Sequence, residues 1–216
     1  MKKQTVALLA VILIALLPLG YLAFIYENLP QQVAVHYGTD MKPDRMGDKE
    51  ELWLATGLIA AASVMVYMLL TNINRIDPKR KGSQALQTFT KLAFGSVIFM
   101  AALNCVIIAA ANGELDIQRV LFPLMGLLFA FIGNYMNHIK PNYFAGIRLP
   151  WTLRSDENWR RTHQLAGKLW FTGGLLIALA GLVLPASAAF PVFIVMLAVM
   201  VLLPIVYSYQ LFRQHV

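Results

Sequence analysis

Six stretches of the chain stay apolar for about 20 residues at a time, and the charged residues gather in the gaps between them. The stretches run over 5–26, 52–71, 88–111, 120–138, 165–185 and 190–212. A helix needs about 20 apolar residues to cross roughly 30 Å of hydrocarbon, so each is long enough to span. None holds a charge in its central part, although Lys91 and Lys168 sit close to ends. Lipid offers no partner to a backbone amide, and a helix satisfies its own. The pattern predicts an all-α integral membrane protein with six transmembrane helices. Its single membrane domain reads as three successive hairpins, 1–71 with an ordered outer loop, 72–138, and 139–216. The first stretch follows Lys2 and Lys3 as a signal peptide would. Its apolar run exceeds the usual 7–15 residues and no small-x-small site follows it, so it reads as a retained helix.

Composition supports the membrane reading. Of 216 residues 58% are hydrophobic and 13% charged, with a mean hydropathy of +0.61; a soluble domain carries about 25% charged residues. That excludes a disordered chain, an ordinary soluble enzyme and a disulfide-stapled module. The lone Cys105 has no intramolecular disulfide partner.

The net charge of +7 changes meaning once it is sorted by loop. The N-terminus, the 72–91 and 139–168 loops and the C-terminus hold fourteen Lys and Arg, including Lys79, Arg80 and Lys81, against three acids, a net +11. The remaining loops hold four basic residues against eight acids, Glu114 among them, a net −4. Lys and Arg collect in cytoplasmic loops, so both termini are expected in the cytoplasm. The basic excess is topology, and no direct nucleic-acid binding is expected.

Inside the spans, small residues allow helices to approach and amides to bond between them. Gly126, Ala130, Asn134 and Asn137 follow at spacings of four, four and three and share one helix face, with Gly133 and His138 beside them. Asn104 lies in the third span, and Gly174, Ala178 and Gly181 in the fifth. Two readings stand: packing of helix on helix, or a polar cavity lined by Asn104, Asn134 and Asn137. The helix centres carry no ionisable residue of the kind that marks proton and ion paths. Pro18, Pro123 and Pro204 each remove a backbone donor within a span.

Two loops carry more information than connectors need. In the outer one, Val33, Val35 and Tyr37 alternate with Gln32, Ala34 and His36, which suits an extended stretch, and Gly38, Pro43 and Gly47 punctuate turns. It reads either as a small ordered cap or as a solvated hairpin. In the inner one, Ser155 is a candidate N-cap with Asp156 and Glu157 in the first turn. Beyond it Trp159, His163, Ala166 and Trp170 share one face, and Arg160, Arg161, Gln164 and Lys168 lie mainly on the other. This describes a short amphipathic helix before the fifth span, either anchored in lipid through its tryptophans or docking a partner.

The outer loop, with Leu29-Pro30, His36 and Pro43-Asp44-Arg45, resembles the signature of the DUF1648 membrane domain. The inner loop, with Asn142, Phe144, Gly146-Ile147-Arg148, Pro150-Trp151-Thr152-Leu153, Ser155, Trp159, Thr162-His163 and Gly167-Lys168, resembles that of the SdpI family. Three departures stand out: Met41 replaces the glycine of a G-x-P-D turn, Ala34 a common proline, and Leu149 a threonine. The resemblance implies a multi-pass protein of the bacterial cytoplasmic membrane that confers immunity to a secreted peptide toxin. It also implies a receptor that retains a small cytoplasmic repressor once toxin is bound.

On that reading the acidic outer face meets an extracellular peptide toxin, and a cationic peptide would be steered to it. His36, Tyr37, Asp44 and Arg45 are the expected contacts or scaffold there. On the inner face Asn142, Gly146, Arg148, Trp151, Thr152, Trp159 and His163 are the expected motif or partner-binding residues. Membrane lipid is the other partner, and no cofactor or metal is expected. Two alternatives differ in class. A membrane-embedded enzyme would need His36 near Asp40 and Asp44, yet the bilayer separates it from His138, His163 and His215, and neither H-E-x-x-H nor G-x-S-x-G occurs. A small exporter could use the polar stripe as its route but lacks a nucleotide-binding motif or buried charge for energy coupling.

Overall fold

The computed structural model describes residues 2–77, 84–113 and 115–214. Lys79, Arg80, Lys81, Glu114 and His215 lie outside the described residues, as do the side chains of Lys2 and Lys3. Six helices are long and apolar enough to cross a membrane. They are α1 (Lys2–Ile25), α2 (Glu51–Thr71), α4 (Gln84–Ala111), α5 (Ile117–Met136), α7 (Asp156–Val183) and α8 (Ala186–Arg213). Two short helices, α3 (Ile73–Ile76) and α6 (Pro150–Arg154), lie in the inner loops. Between α1 and α2 stands a two-stranded antiparallel hairpin, β1 (Gln32–Tyr37) with β2 (Pro43–Asp48). The all-α membrane architecture is as the hydropathy predicts, and the outer loop is an ordered cap.

Apolar clusters mark the two ends of the bundle. At the outer end Leu22, Ile25, Leu29, Val33, Leu52, Ile108 and Ala111 pack together, seating the hairpin on α1, α2 and α4. At the inner end Ile73, Phe89, Leu92, Met136, Ile139, Trp159 and Ala166 join α3, α4, α5 and α7. Many other leucines, valines and isoleucines of the spans are exposed, among them Leu13, Leu58, Ile98 and Leu179, as a lipid-facing surface requires.

α5 and α7 approach so closely that backbone meets backbone. A Cβ on Gly126 would lie 2.4 Å from the Gly174 carbonyl oxygen and 2.5 Å from the Ala178 nitrogen. One on Gly174 would meet the Ala130 nitrogen at 2.4 Å, and one on Gly133 the Phe171 nitrogen at 2.4 Å. The small-residue stripe is therefore a backbone-to-backbone seam. The three amides do not line a shared cavity. Asn104 is buried and donates to the Thr56 carbonyl of α2 at 3.1 Å, whereas Asn134 and Asn137 are exposed near the inner end of α5. Counting residues from the outer helix ends places Asn104 and Asn134 about 15 Å apart in depth.

The amphipathic segment is the start of the fifth span itself. Its 28 residues make α7 about 42 Å long, against roughly 30 Å of hydrocarbon, so its first turns project beyond the inner boundary. Ser155 caps it, accepting from the Asn158 N–H at 3.2 Å. Its tryptophan face turns into protein, not lipid: Trp159 is 1% exposed and lies in the inner cluster. Proximity of α5 leaves that face no route to the headgroups. The exposed side carries Arg160 and Arg161, both bonded to Glu157.

Gly174→Leu forces this seam apart and should cost about 2 kcal/mol, the usual scale of overpacking. Gly57→Leu is the control, because nothing lies within 4 Å of a Cβ there. Unfolding in mixed micelles, titrated with denaturing detergent, measures both. Equal midpoints for the two variants would show that the seam is not tight.

Candidate functional site

Thirteen residues separate α5 from α6, and most of their order comes from side chains that bond back to the backbone. Asn142 is 1% exposed. Its Oδ1 accepts from the Phe144 and Ala145 N–H groups at 2.8 and 2.7 Å, and its Nδ2 donates to the Lys140 and Ala145 carbonyls. One amide thus uses all its bonding capacity to close the turn. Gly146 follows with φ +105°, in the left-handed region that a side chain disfavours. A Cβ there would also stand 2.4 Å from His163 Nε2. The next N–H, that of Ile147, donates to His163 Nε2 at 3.1 Å.

His163 is 1% exposed and is held from both ends. With Nε2 accepting from Ile147, Nδ1 carries the proton and donates to the Trp159 carbonyl at 2.9 Å. The imidazole is therefore neutral here. Trp159 stacks on it, with ring centres 4.1 Å apart and planes 16° from parallel, and donates through Nε1 to the Ile139 carbonyl at 2.7 Å. Thr152, fully buried, accepts from the Leu149 N–H at 2.9 Å and donates to the Ile147 carbonyl at 2.8 Å.

Further bonds tie the loop to α8. Trp151 Nε1 donates to the Ser208 hydroxyl at 2.9 Å, and its ring packs against Tyr209 and Phe212. Asn158 Nδ2 donates to the Ser208 carbonyl at 2.9 Å, and Thr162 donates to Asn158 Oδ1 at 3.0 Å. Asn158 and Ser208 are the functional-site residues missing from the sequence reading. Asn158 stands four residues before Thr162 on one helix face, a signal that was present; Ser208 sits in an apolar span with nothing to mark its role.

Of the inner motif residues, Asn142, Thr152, Trp159 and His163 are thus buried braces, and Trp151 is a half-buried tie to α8. Gly146 is backbone-exposed and conformationally demanded. Arg148 differs: it is exposed, and its guanidinium donates to the Tyr143 carbonyl. Tyr143 and Phe144 beside it are 48% and 39% exposed. These three form a cationic and aromatic tip on a rigid base.

At the outer face β1 pairs with β2 from Gln32 opposite Asp48 to Tyr37 opposite Pro43, with irregular register around His36. His36 Nδ1 lies 2.6 Å from Asp44 Oδ1, and His36 stands opposite Arg45. Gln32 bonds to Asp48 across the strands. Lys49 donates to the Tyr26 carbonyl at 3.2 Å and lies over the Tyr26 ring, fastening the hairpin base to the end of α1. Burial pushes the Tyr37 hydroxyl above its ordinary pKa. His36, Asp44 and Arg45 are all exposed and adjoin on the hairpin, whereas Tyr37 is half-buried and pairs with Pro43. Met41, in the turn, has φ +59°, the conformation for which glycine is suited.

Comparison with known proteins gives the same two regions. Residues 13–60 match the domain of unknown function DUF1648, and residues 138–208 match the SdpI/YfhL protein family. The first match contains the whole outer hairpin, and the second runs from the start of the inner loop to Ser208. The chain is also 24% identical over 178 residues to "Immunity protein SdpI" of Bacillus subtilis (strain 168), covering 82% of this chain and 81% of that protein. No solved structure matches. The resemblance carried by the two loops is thus borne out: the chain joins a segment that matches DUF1648 to one that matches the SdpI/YfhL family.

Three substitutions test the local geometry of the two loops. Met41→Gly relieves a left-handed residue and should stabilise the hairpin by about 1 kcal/mol, read as slower amide exchange over 32–48. Gly146→Ala should lower the melting temperature of the detergent-solubilised protein, while Arg148→Gln leaves it within a degree or so. A Gly146→Ala protein that melts with the parent would overturn the account of the His163 contact.

Proposed function

We propose that this chain is a non-enzymatic immunity protein of the bacterial cytoplasmic membrane, protecting its cell from a secreted peptide toxin. The observation that carries the reading is the similarity to an immunity protein across four-fifths of both chains. The hairpin supports a place for the encounter. It is a preordered, solvent-facing platform with His36, Asp44 and Arg45 exposed, and it needs little ordering on binding. Its loop is acidic, which favours a cationic peptide.

The second half of the reading is signalling. A small cytoplasmic repressor would meet the inner face at Arg148, Tyr143 and Phe144, the exposed tip of a loop whose other motif residues are consumed in bracing. Arg148 offers a planar fork suited to a carboxylate on such a partner. Asn142, Thr152, Trp159 and His163 act through the tip they hold and not as contacts.

Deleting the gene should sensitise cells to the candidate toxins encoded by its genomic neighbours; unchanged sensitivity to all of them overturns the proposal. Asp44→Asn should raise the toxin sensitivity of complemented cells about fivefold, the effect of one exposed charge worth about 1 kcal/mol. The difference should shrink at high salt, with membrane abundance equal by blot. Arg148→Lys separates the two faces: protection should persist while expression of a repressor-controlled reporter changes.

A further inference from the structure

A groove of about 510 Å³ opens at the inner end of the bundle between α1, α2 and α4. That volume lies within the range of small-molecule sites. Its lining is graded with depth. Gln4, Asn72 and Arg75 stand at the level of the helix ends, and Ala7, Leu8 and Tyr67 lie farther in, toward the hydrocarbon. Tyr67 is 8% exposed and its ring meets Phe94 edge-on at 5.2 Å. Its hydroxyl makes no hydrogen bond among the described residues, and Tyr67 lines the groove, where a tyrosine O–H would be expected to take a partner. Arg75 is exposed and has no acidic partner among the described residues, and no acid lines the groove. In sequence the basic run Lys79-Arg80-Lys81 follows closely.

A cation at the headgroup level, a polar mouth, an apolar interior and an unsatisfied donor between them describe the complement of an amphiphile with a negative head. The end that carries the groove is the one the charge distribution assigns to the cytoplasm, where the leaflet is anionic. We propose that this groove is a binding site for one anionic phospholipid of the inner leaflet. The phosphate sits at Arg75 with Gln4 and Asn72, the Tyr67 hydroxyl donates to a glycerol or ester oxygen, and an acyl chain lies along Ala7 and Leu8. The site is remote from the outer hairpin and from Arg148, and the proposal does not rest on toxin binding.

The test is native mass spectrometry of the full-length protein in neutral detergent, titrated with phosphatidylglycerol or with phosphatidylcholine of the same chains. One phosphatidylglycerol should remain bound per chain at concentrations where phosphatidylcholine is lost. Arg75→Gln should weaken it about fivefold, and Ala7→Phe, which fills the groove, should remove it. Should Ala7→Phe fail to fold, Tyr67→Phe replaces it and should lower retention two- to fivefold. Equal retention of the two lipids by the parent protein, or phosphatidylglycerol binding indifferent to these variants, overturns the site. Millimolar inorganic phosphate raising the melting temperature as much as phosphatidylglycerol would identify a free-anion site and overturn the lipid assignment.

Discussion

The seam between α5 and α7 fixes the rest of the inner face. Lipid tails are as apolar as leucine, so helices in a bilayer gain little by hiding apolar side chains from their surroundings. They associate instead through close van der Waals contact and bonds between polar groups. Gly126, Gly133 and Gly174 let two backbones meet at distances that a single methyl group would forbid. Once they meet, the end of α5 and the start of α7 are held at fixed positions, and the loop between them has to close a defined gap. Trp159 spans it by donating to Ile139, the third residue beyond α5. His163, one turn farther along α7, receives the returning strand at Ile147.

This explains a division of labour among residues that look alike in sequence. A motif of Asn, Gly, Arg, Trp, Thr and His suggests chemistry, yet buried polar side chains are costly unless bonded. Here Asn142, Thr152, Asn158, Thr162 and His163 are buried and bonded to backbone or to one another. His163 has both ring nitrogens engaged and none left for a substrate. On the proposed reading, partner recognition falls to the few motif side chains facing water, Arg148 foremost.

The spans were legible because the bilayer imposes one length and one polarity on every crossing segment, but the start of the fifth was not, since α7 runs unbroken from Asp156 through the segment that reads as a separate amphipathic helix. The outer loop was legible in part: alternation at Val33, Val35 and Tyr37 is a two-residue period and marks β1, but Pro43 and Gly47, which look like turn residues, lie within β2, where Gly47 pairs with Val33. Helix periodicity grouped Trp159 with His163 and Trp170 correctly but could not say what the face meets. Lipid and protein are both apolar, and only the approach of α5 decides between them. The same limit separated Asn104 from Asn134, because a list of polar residues carries no depth until helix directions are assigned. Asn158 and Ser208 failed for another reason: their roles depend on a contact between residues 50 apart in the chain.

The proposed function asks the outer hairpin to influence the inner loop across the bilayer, and the packing narrows the physical route. Ile108 and Ala111 of α4 belong to the outer cluster that seats the hairpin, Ala93 and Val97 to a middle cluster with Val11 and Tyr67, and Phe89 and Leu92 to the inner cluster with Trp159. α4 is thus the element whose buried side chains reach all three levels. Phe131 of α5 lies over Gly95 so closely that a Cβ there would come within 2.2 Å of it, which couples α4 to the glycine seam at mid-depth. A rigid shift of α4 would rearrange packed side chains discretely, which is what coupling between distant sites requires of a two-state element. The groove at Tyr67 borders that same helix, so an occupant there would brace α4 against α1 and α2 and bias the position of a helix packed into all three clusters.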